Sequence, residues 1–329
     1  MDDLDARLRD LRSPESDRRR PLPDRAERHL KALLSEDRMR RRGPRSSRNI
    51  LATTATAFVA IMIVVVAVLR IDGGTAQALT PPALEFTSDE QGVGDIIGEA
   101  IMSLEQSSGP QQPERGSRHL GWFVHIDMDE DTARAPVVIK PEIIDLKWNK
   151  DLSGAQTTTA AEAYWADPRI QTLSDDMAPA PGTLLSKVTF ETGEFAVPSA
   201  SLPGQSVPDM HELLVSLGMP IVEPGAGDVI ESIDSAMGLW TLTNHQHAGL
   251  LQLLLDAGDL ELLGATTDRL RRQVVGLRAE PASFPGTARV LLVSMETGRI
   301  VGIETVRTTD EPPLKAGDVV AYNLWEVSE

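Results

Sequence analysis

The chain has 329 residues, a formal net charge of −17, no cysteine and only 4 % aromatic residues. Without cysteine it has neither disulfides nor a thiolate metal site, and its length suffices for a self-supporting core that aliphatic side chains must supply. The charge is uneven: residues 1–48 hold fifteen Lys and Arg against ten Asp and Glu, leaving 17 against 39 of the chain's 32 and 49 for the remainder, an acidic balance that argues against direct nucleic-acid binding there.

The first elements are short. In Met1–Arg12, Leu4, Leu8 and Leu11 recur at i, i+4 and i+7 along one face, early Asp and late Arg match the helix dipole, and Pro14 ends the helix. A second helix starts near Asp24 with Ala26, Leu30, Leu33 and Leu34 as its apolar stripe. Neither is long enough to be stable alone in water. Two readings stand side by side: a leader without fixed structure or lying on a membrane, or a pair of helices that order on a cytoplasmic partner. In the second reading Leu4, Leu8, Leu11, Leu30, Leu33 and Leu34 are the partner-binding residues.

Ile50–Leu69 is a run of twenty residues without charge, proline or glycine. As a helix it spans about 30 Å, the thickness of a bilayer's hydrocarbon core. Eleven of the twenty are Leu, Ile, Val or Phe, which sum to about −3 to −6 kcal/mol of insertion free energy. Arg38, Arg40, Arg41, Arg42, Arg45 and Arg48 crowd its N-terminal side, and after Arg70 no Lys or Arg follows until Arg115. The positive-inside rule then puts the N-terminus in the cytoplasm and the acidic body outside. Ala76-Gln77-Ala78 is shaped like a signal cleavage site, but the preceding charged and apolar regions are both too long for a signal peptide, so an uncleaved anchor is expected.

The body reads as α+β. Residues 71–88, rich in Gly, Pro and small polar residues, read as a linker before an extracytoplasmic domain over 89–329. Helices are expected at Asp95–Gln106, Pro208–Leu217, Asp228–Leu239 and His245–Ala257. Ser107–Arg118 reads as an exposed loop. Strands are expected at Gly121–Met128, Val137–Trp148, Gln156–Trp165, Leu184–Thr192, Leu260–Thr266, Gln273–Leu277, Ala288–Ser294, Arg299–Arg307 and Val319–Val327. The unbroken run Val290-Leu291-Leu292-Val293 suits a strand covered on both faces, and Met295-Glu296-Thr297-Gly298 a hairpin turn with Gly at the positive-φ position. The expected fold class is a mainly antiparallel sheet with helices, half-barrel-like by analogy, plus one transmembrane helix and a short helical cytoplasmic arm.

Sites of chemistry are scarce. His125, Asp127 and Asp129 share one strand face and suit a cation, but three polar residues at period two more often form the wet face of a sheet. The run from Asp127 opens like a calcium loop, yet Thr132 stands for its glycine and Val138 for its bidentate Glu. His245 and His247 have no carboxylate at ligand spacing and read as solvated imidazoles at a capped helix start. Trp148, Tyr164 and Trp165 either line an apolar groove or join the core. The phosphate-loop, nucleophile-elbow and zinc-protease patterns are absent, so no enzyme, no cofactor and no metal is expected.

One local likeness adds to this. Leu260–Arg269, followed by Arg272 to give a D-x-x-x-R pattern with Asp268, and Leu291–Gly302 with its Thr297-Gly298-Arg299 core, resemble the C-terminal part of an actinobacterial family of single-pass membrane proteins. Their genes commonly lie beside those of extracytoplasmic-function sigma factors. Leu8-Arg9-Asp10-Leu11-Arg12, the Arg-rich tract and Gly121-Trp122-Phe123-Val124 are similar to it as well, whereas Met295 stands where many relatives have Asp. The resemblance implies an anti-sigma-like layout and assigns no catalytic residue. The expected function is a cell-membrane protein whose outer domain senses an envelope ligand and whose arm holds a cytoplasmic partner such as a sigma factor. The alternative is an anchored lipid- or peptide-binding domain, with the lipid bilayer as the arm's only contact.

Overall fold

The computed structural model describes residues 79–88, 91–125, 137–170, 172–174 and 176–326. In chain order its elements are α1 (Val93–Gln106), β1 (Glu114–Phe123), β2 (Val138–Ile139), β3 (Glu142–Trp148), β4 (Gly154–Ala160), β5 (Tyr164–Trp165) and β6 (Leu184–Phe190). There follow α2 (Val207–Ser216), α3 (Ala226–Leu239), β7 (Trp240–Thr241) and α4 (Asn244–Ala257). The chain then runs through β8 (Glu261–Thr267), β9 (Gln273–Ala279), β10 (Thr287–Ser294), β11 (Ile300–Arg307) and β12 (Val319–Trp325).

Nine strands form one antiparallel path in the order β6-β4-β3-β1-β12-β11-β10-β9-β8, and β7 pairs with the start of β1. Sequence neighbours pair through hairpins at either end. The join in the middle is long-range: β12 lies between β11 and β1, with His119 opposite Trp325 and Phe123 opposite Ala321.

The run Val290–Val293 shows why the centre of this sheet is so apolar. Its alternate side chains point to opposite faces. Leu291 and Val293 pack with Ile230, Ile233, Leu250, Leu251 and Leu254 of the helices. Val290 and Leu292 pack on the other face with Val274, Val301, Tyr322 and Leu324, and with Leu84 and Phe86 from residues 79–88. All four residues of the run are buried, as a strand covered on both faces requires. The hairpin after β10 turns at Gly298 with φ +74°, the positive-φ position expected there.

The four helices among the described residues start where their capping residues dictate. Thr243 and Gln246 form a capping box at α4, and Ser206 and Asp209 one at α2. The helix expected at Asp95–Gln106 runs from Val93, and the other three begin one or two residues from their expected starts. The strands depart further. The span expected as a strand from Gly121 and a loop before it is instead a strand from Glu114 to Phe123, hydrogen-bonded to β12 on one side and β3 on the other. Ladder bonds on both edges hold a segment whose composition favours a loop, and the buried Ser117 and His119 satisfy each other at 3.3 Å between Oγ and Nδ1. Val137–Trp148 divides into β2 and β3 at Pro141, which has no N–H for the ladder.

The expected fold class needs correction. What the described residues form is a mostly antiparallel sheet with four helices, and none of these helices is long and apolar enough to cross a membrane. The longest have 14 residues, about 21 Å at the helical rise, against roughly 30 Å of hydrocarbon. Each buries one stripe on the sheet or on another helix rather than being apolar all round. The half-barrel analogy gives way too: the face opposite the helices is filled by side chains of the second core in place of an open groove. The span expected at 50–69 and the arm 1–48 lie outside the described residues.

Candidate functional site

α4 meets the sheet at the hairpin between β10 and β11, and three polar side chains converge there. His247 lies on the stripe His247, Leu250, Leu251, Leu254 and is buried with those leucines. Arg299 directly precedes β11 and is buried too. Its Nη1 donates to Asn244 Oδ1 at 2.6 Å, its Nη2 to the Leu242 carbonyl at 3.0 Å, and its Nε to Glu326. Asn244 in turn donates from Nδ2 to the carbonyls of Leu104 and Ser107, both at 2.9 Å, closing the C-terminal end of α1. Gly298 holds the hairpin against α1, since a Cβ there would sit 2.0 Å from the Ala100 carbonyl oxygen.

The end of β12 is fixed by a second arginine. Asp268 accepts from the backbone N–H of Leu270 and of Arg272, each at 2.9 Å, and from Arg272 Nε at 2.7 Å. Arg272 then donates from Nη1 to the Trp325 carbonyl at 2.5 Å and from Nη2 to the Val301 carbonyl at 3.0 Å. This clamp sets the bend at Glu326, whose φ is +60°. The residues of both sequence patterns, Asp268 with Arg272 and Thr297-Gly298-Arg299, thus meet around Trp325 and Glu326.

Between these groups lies a cavity of about 170 Å³, lined by Arg118, Met237, Trp240, Thr241, Leu242, His247, Arg299, Ile300, Trp325 and Glu326. Glu326, with its side chain 37 % exposed, marks the mouth. Two of the lining residues carry a buried side-chain nitrogen without a partner among the described residues, Arg118 Nε and Trp325 Nε1, and neither presents accessible surface to the cavity. His247 Nδ1 accepts from the Ile300 N–H at 3.2 Å, so the neutral ring carries its proton on Nε2. Burial, with the adjacent Arg299 charge, holds the His247 pKa well below its ordinary value. Nearby His119, 6.0 Å from the Trp325 ring, is lowered by burial to about 4. Both imidazoles are therefore neutral at pH 7.

A wider groove of about 440 Å³ lies among the helices, lined by His211, Met219, Glu223, Pro224, Gly225, Val229, Leu253, Asp256, Ala257 and Asp259. Its Asp259 already accepts from the Ala226 N–H at 3.1 Å, and it holds no buried uncommitted donor among the described residues.

The residues singled out by sequence divide as follows. Leu4, Leu8, Leu11, Leu30, Leu33 and Leu34 lie outside the described residues, as do Asp127 and Asp129. No group of three or more His, Asp or Glu placed to hold a metal occurs among the described residues. The two histidines at α4 are not alike: His245 is exposed and His247 buried, because two residues along a helix turn the side chain about 200°. The solvated imidazole expected for His247 is thereby corrected. Trp148, Tyr164 and Trp165 share no groove. Trp148 is in the helix-side core with its ring 4.6 Å from Trp240. Tyr164 reaches Tyr322 of the other core, 3.3 Å between hydroxyls, and Trp165 Nε1–H donates to the Thr172 carbonyl at 2.8 Å. Trp325 was not singled out at all. The signal for His247 was present: it stands at i, i+3, i+4, i+7 with the buried leucines of α4.

No protein-family model matches the chain, and no curated protein is similar to it.

Proposed function

We propose that the domain is a sensing or binding module for a small molecule, and that the arm 1–48 passes its state to a partner such as a sigma factor through Leu4, Leu8, Leu11, Leu30, Leu33 and Leu34. One observation carries the first half: a cavity walled by Trp240, Trp325, Met237 and Ile300, with His247 and the Arg299–Glu326 ion pair also on its lining. Apolar walls with a few convergent polar groups are how ligand sites are built. A volume near 170 Å³ matches a single ring or a short branched chain, since a cavity of about 150 Å³ takes benzene. It is small for a lipid, so a small molecule is the better occupant. Nothing in this cavity supplies a paired nucleophile and base, and the reading is of binding, not catalysis.

Calorimetric titration of the full chain with single-ring and branched-chain compounds tests this reading. Saturable one-to-one heat that disappears on filling the cavity with Ile300→Phe supports it, and heat that survives this change refutes the cavity as the site. For the second half, the full chain should co-purify with a sigma factor and lose it on Leu30→Asp with Leu33→Asp. Retention of the partner by that variant removes the arm from the scheme.

A further inference from the structure

We propose that residues 79–88 form a releasable strap on the sheet, and that its docked or released state is what the domain passes towards residues 1–48. The second half rests on the arm's partner-holding role proposed above; the first half stands without it.

The strap lies on the face of the sheet opposite the helices, where Leu84 and Phe86 join the core around Val274, Leu292 and Tyr322. Two strand glycines make room for it. At Gly276 on β9 an added Cβ would sit 2.3 Å from Phe86 Cε1, and its three nearest neighbours would all be atoms of that ring. At Gly264 on β8, where φ is +100°, a Cβ would sit 1.9 Å from the Thr87 carbonyl oxygen. The two glycines are opposite each other in the ladder. Together they leave a gap in the side-chain layer that the Phe86 ring and the backbone at Thr87 fill, the close approach that a glycine inside a strand marks.

The strap is seated on the sheet without being woven into it. Its pairing with β8 is a single bridge between Thr87 and Ala265, with N–H···O distances of 2.8 and 3.0 Å. Pro81 and Pro82 have no N–H with which to carry a ladder further. Elsewhere the sheet holds the strap by side chains that donate to its carbonyls, Thr266 Oγ1 to Glu85 at 2.6 Å and Arg269 Nη2 to Pro82 at 3.0 Å. Five of its ten residues are exposed, and only Thr80 and Pro81 are buried. Few buried contacts and a short ladder characterise a segment that opens before the rest of a domain unfolds. Release leaves every strand of the sheet path paired and both Arg269–Glu304 hydrogen bonds in place.

In the sequence the strap stands between residues 1–48 and the rest of the domain, so a change handed along the chain passes through it. The turn Asp268–Arg272 also joins it to the cavity. Arg269 reaches the strap at Pro82, while Arg272 reaches the carbonyl of the cavity-lining Trp325 at 2.5 Å. A contiguous path of contacts thus runs from a cavity wall to the strap, of the kind that carries coupling between sites.

The chain has no cysteine, so a single introduced thiol reports opening cleanly. The test follows alkylation of Thr80→Cys in the strap and Val301→Cys in the sheet, each in the full chain. We expect Thr80→Cys to react at least about a hundredfold faster than Val301→Cys. Adding Gly276→Ala, which crowds only the Phe86 ring, should speed Thr80→Cys about tenfold and leave Val301→Cys unchanged; in a Phe86→Ala background it should have no further effect. Equal rates for the two thiols, or no acceleration by Gly276→Ala, overturn the strap. For the second half, Gly276→Ala should change the amount of co-purifying sigma factor at least about threefold. A freed strap with unchanged co-purification overturns its output role and leaves the arm's role standing. A native chain that retains no sigma factor overturns the output role together with the arm reading, while the thiol rates still decide whether the strap releases.

Discussion

Two buried histidines make acid a specific stress for this fold. His119 is held near 4 and His247 well below its ordinary value, so the unfolded chain binds more protons than the folded one once pH drops below about 6.5. Stability is then fully present above that pH and is lost as pH falls towards 4, with a slope of up to about 1.4 kcal/mol per unit for each ring. Urea unfolding at intervals between pH 7 and 4 reads this slope, and His119→Gln should flatten it by about half. An unchanged slope would show that the acid sensitivity lies in other groups. Gly298 is the second telling residue. With φ +74° and the Ala100 carbonyl 2.0 Å from any added Cβ, Gly298→Ala must move α1 off the hairpin. It should cost at least about 1 kcal/mol, read as a lower urea midpoint at constant slope. A variant as stable as the parent would mean the hairpin is free of α1.

At the scale of elements, Asn244 ties three of them together: it closes the carbonyl end of α1, opens α4 and receives Arg299 from the hairpin just before β11. Asn244→Ala strips acceptors and donors from two buried neighbours at once, so a loss of about 3 kcal/mol is expected. The loss should appear first as faster amide exchange in the last turn of α1, ahead of the rest of the sheet; uniform loss of protection would contradict the tie. Elements are also where sequence reading succeeds and fails for physical reasons. α4 was legible because Thr243, Gln246 and the leucine stripe are local signals, and β10 because its apolar run is local too. The first half of β1 was not. Glu114–Leu120 carries Arg, Gly, Ser and His, and the ladders to β7 at Glu114 and Arg115, to β3 from Gly116 and to β12 from His119, whose partners are not local, make it a strand. The same distance hid the site. Arg299 stood in a legible hairpin and His247 on a legible stripe, but Trp325, which completes the cavity with them, comes from a strand whose neighbour no local pattern names.

For the whole molecule, the consequential feature is where β12 sits. The sheet path consists of an N-terminal set, β6-β4-β3-β1, and a C-terminal set, β11-β10-β9-β8, and among the described residues the ladders reach from one to the other only through β12. That strand buries Val319, Val320, Tyr322, Leu324 and Trp325, each worth about 1.5–3 kcal/mol where its side chain is apolar and fully covered. Together they rival the 5–15 kcal/mol by which a domain is stable at all. A chain ending at Asp318 keeps every other strand, yet it loses the bridge, one wall of both cores and the Trp325 side of the cavity. It should therefore show no cooperative thermal transition by circular dichroism at any temperature. The outer edge offers the opposite case. Val188 on β6 is 47 % exposed, and Val188→Thr should shift stability by less than about 0.5 kcal/mol. If the shortened chain melts cooperatively near the parent's temperature, the two sets of strands are independent folding units.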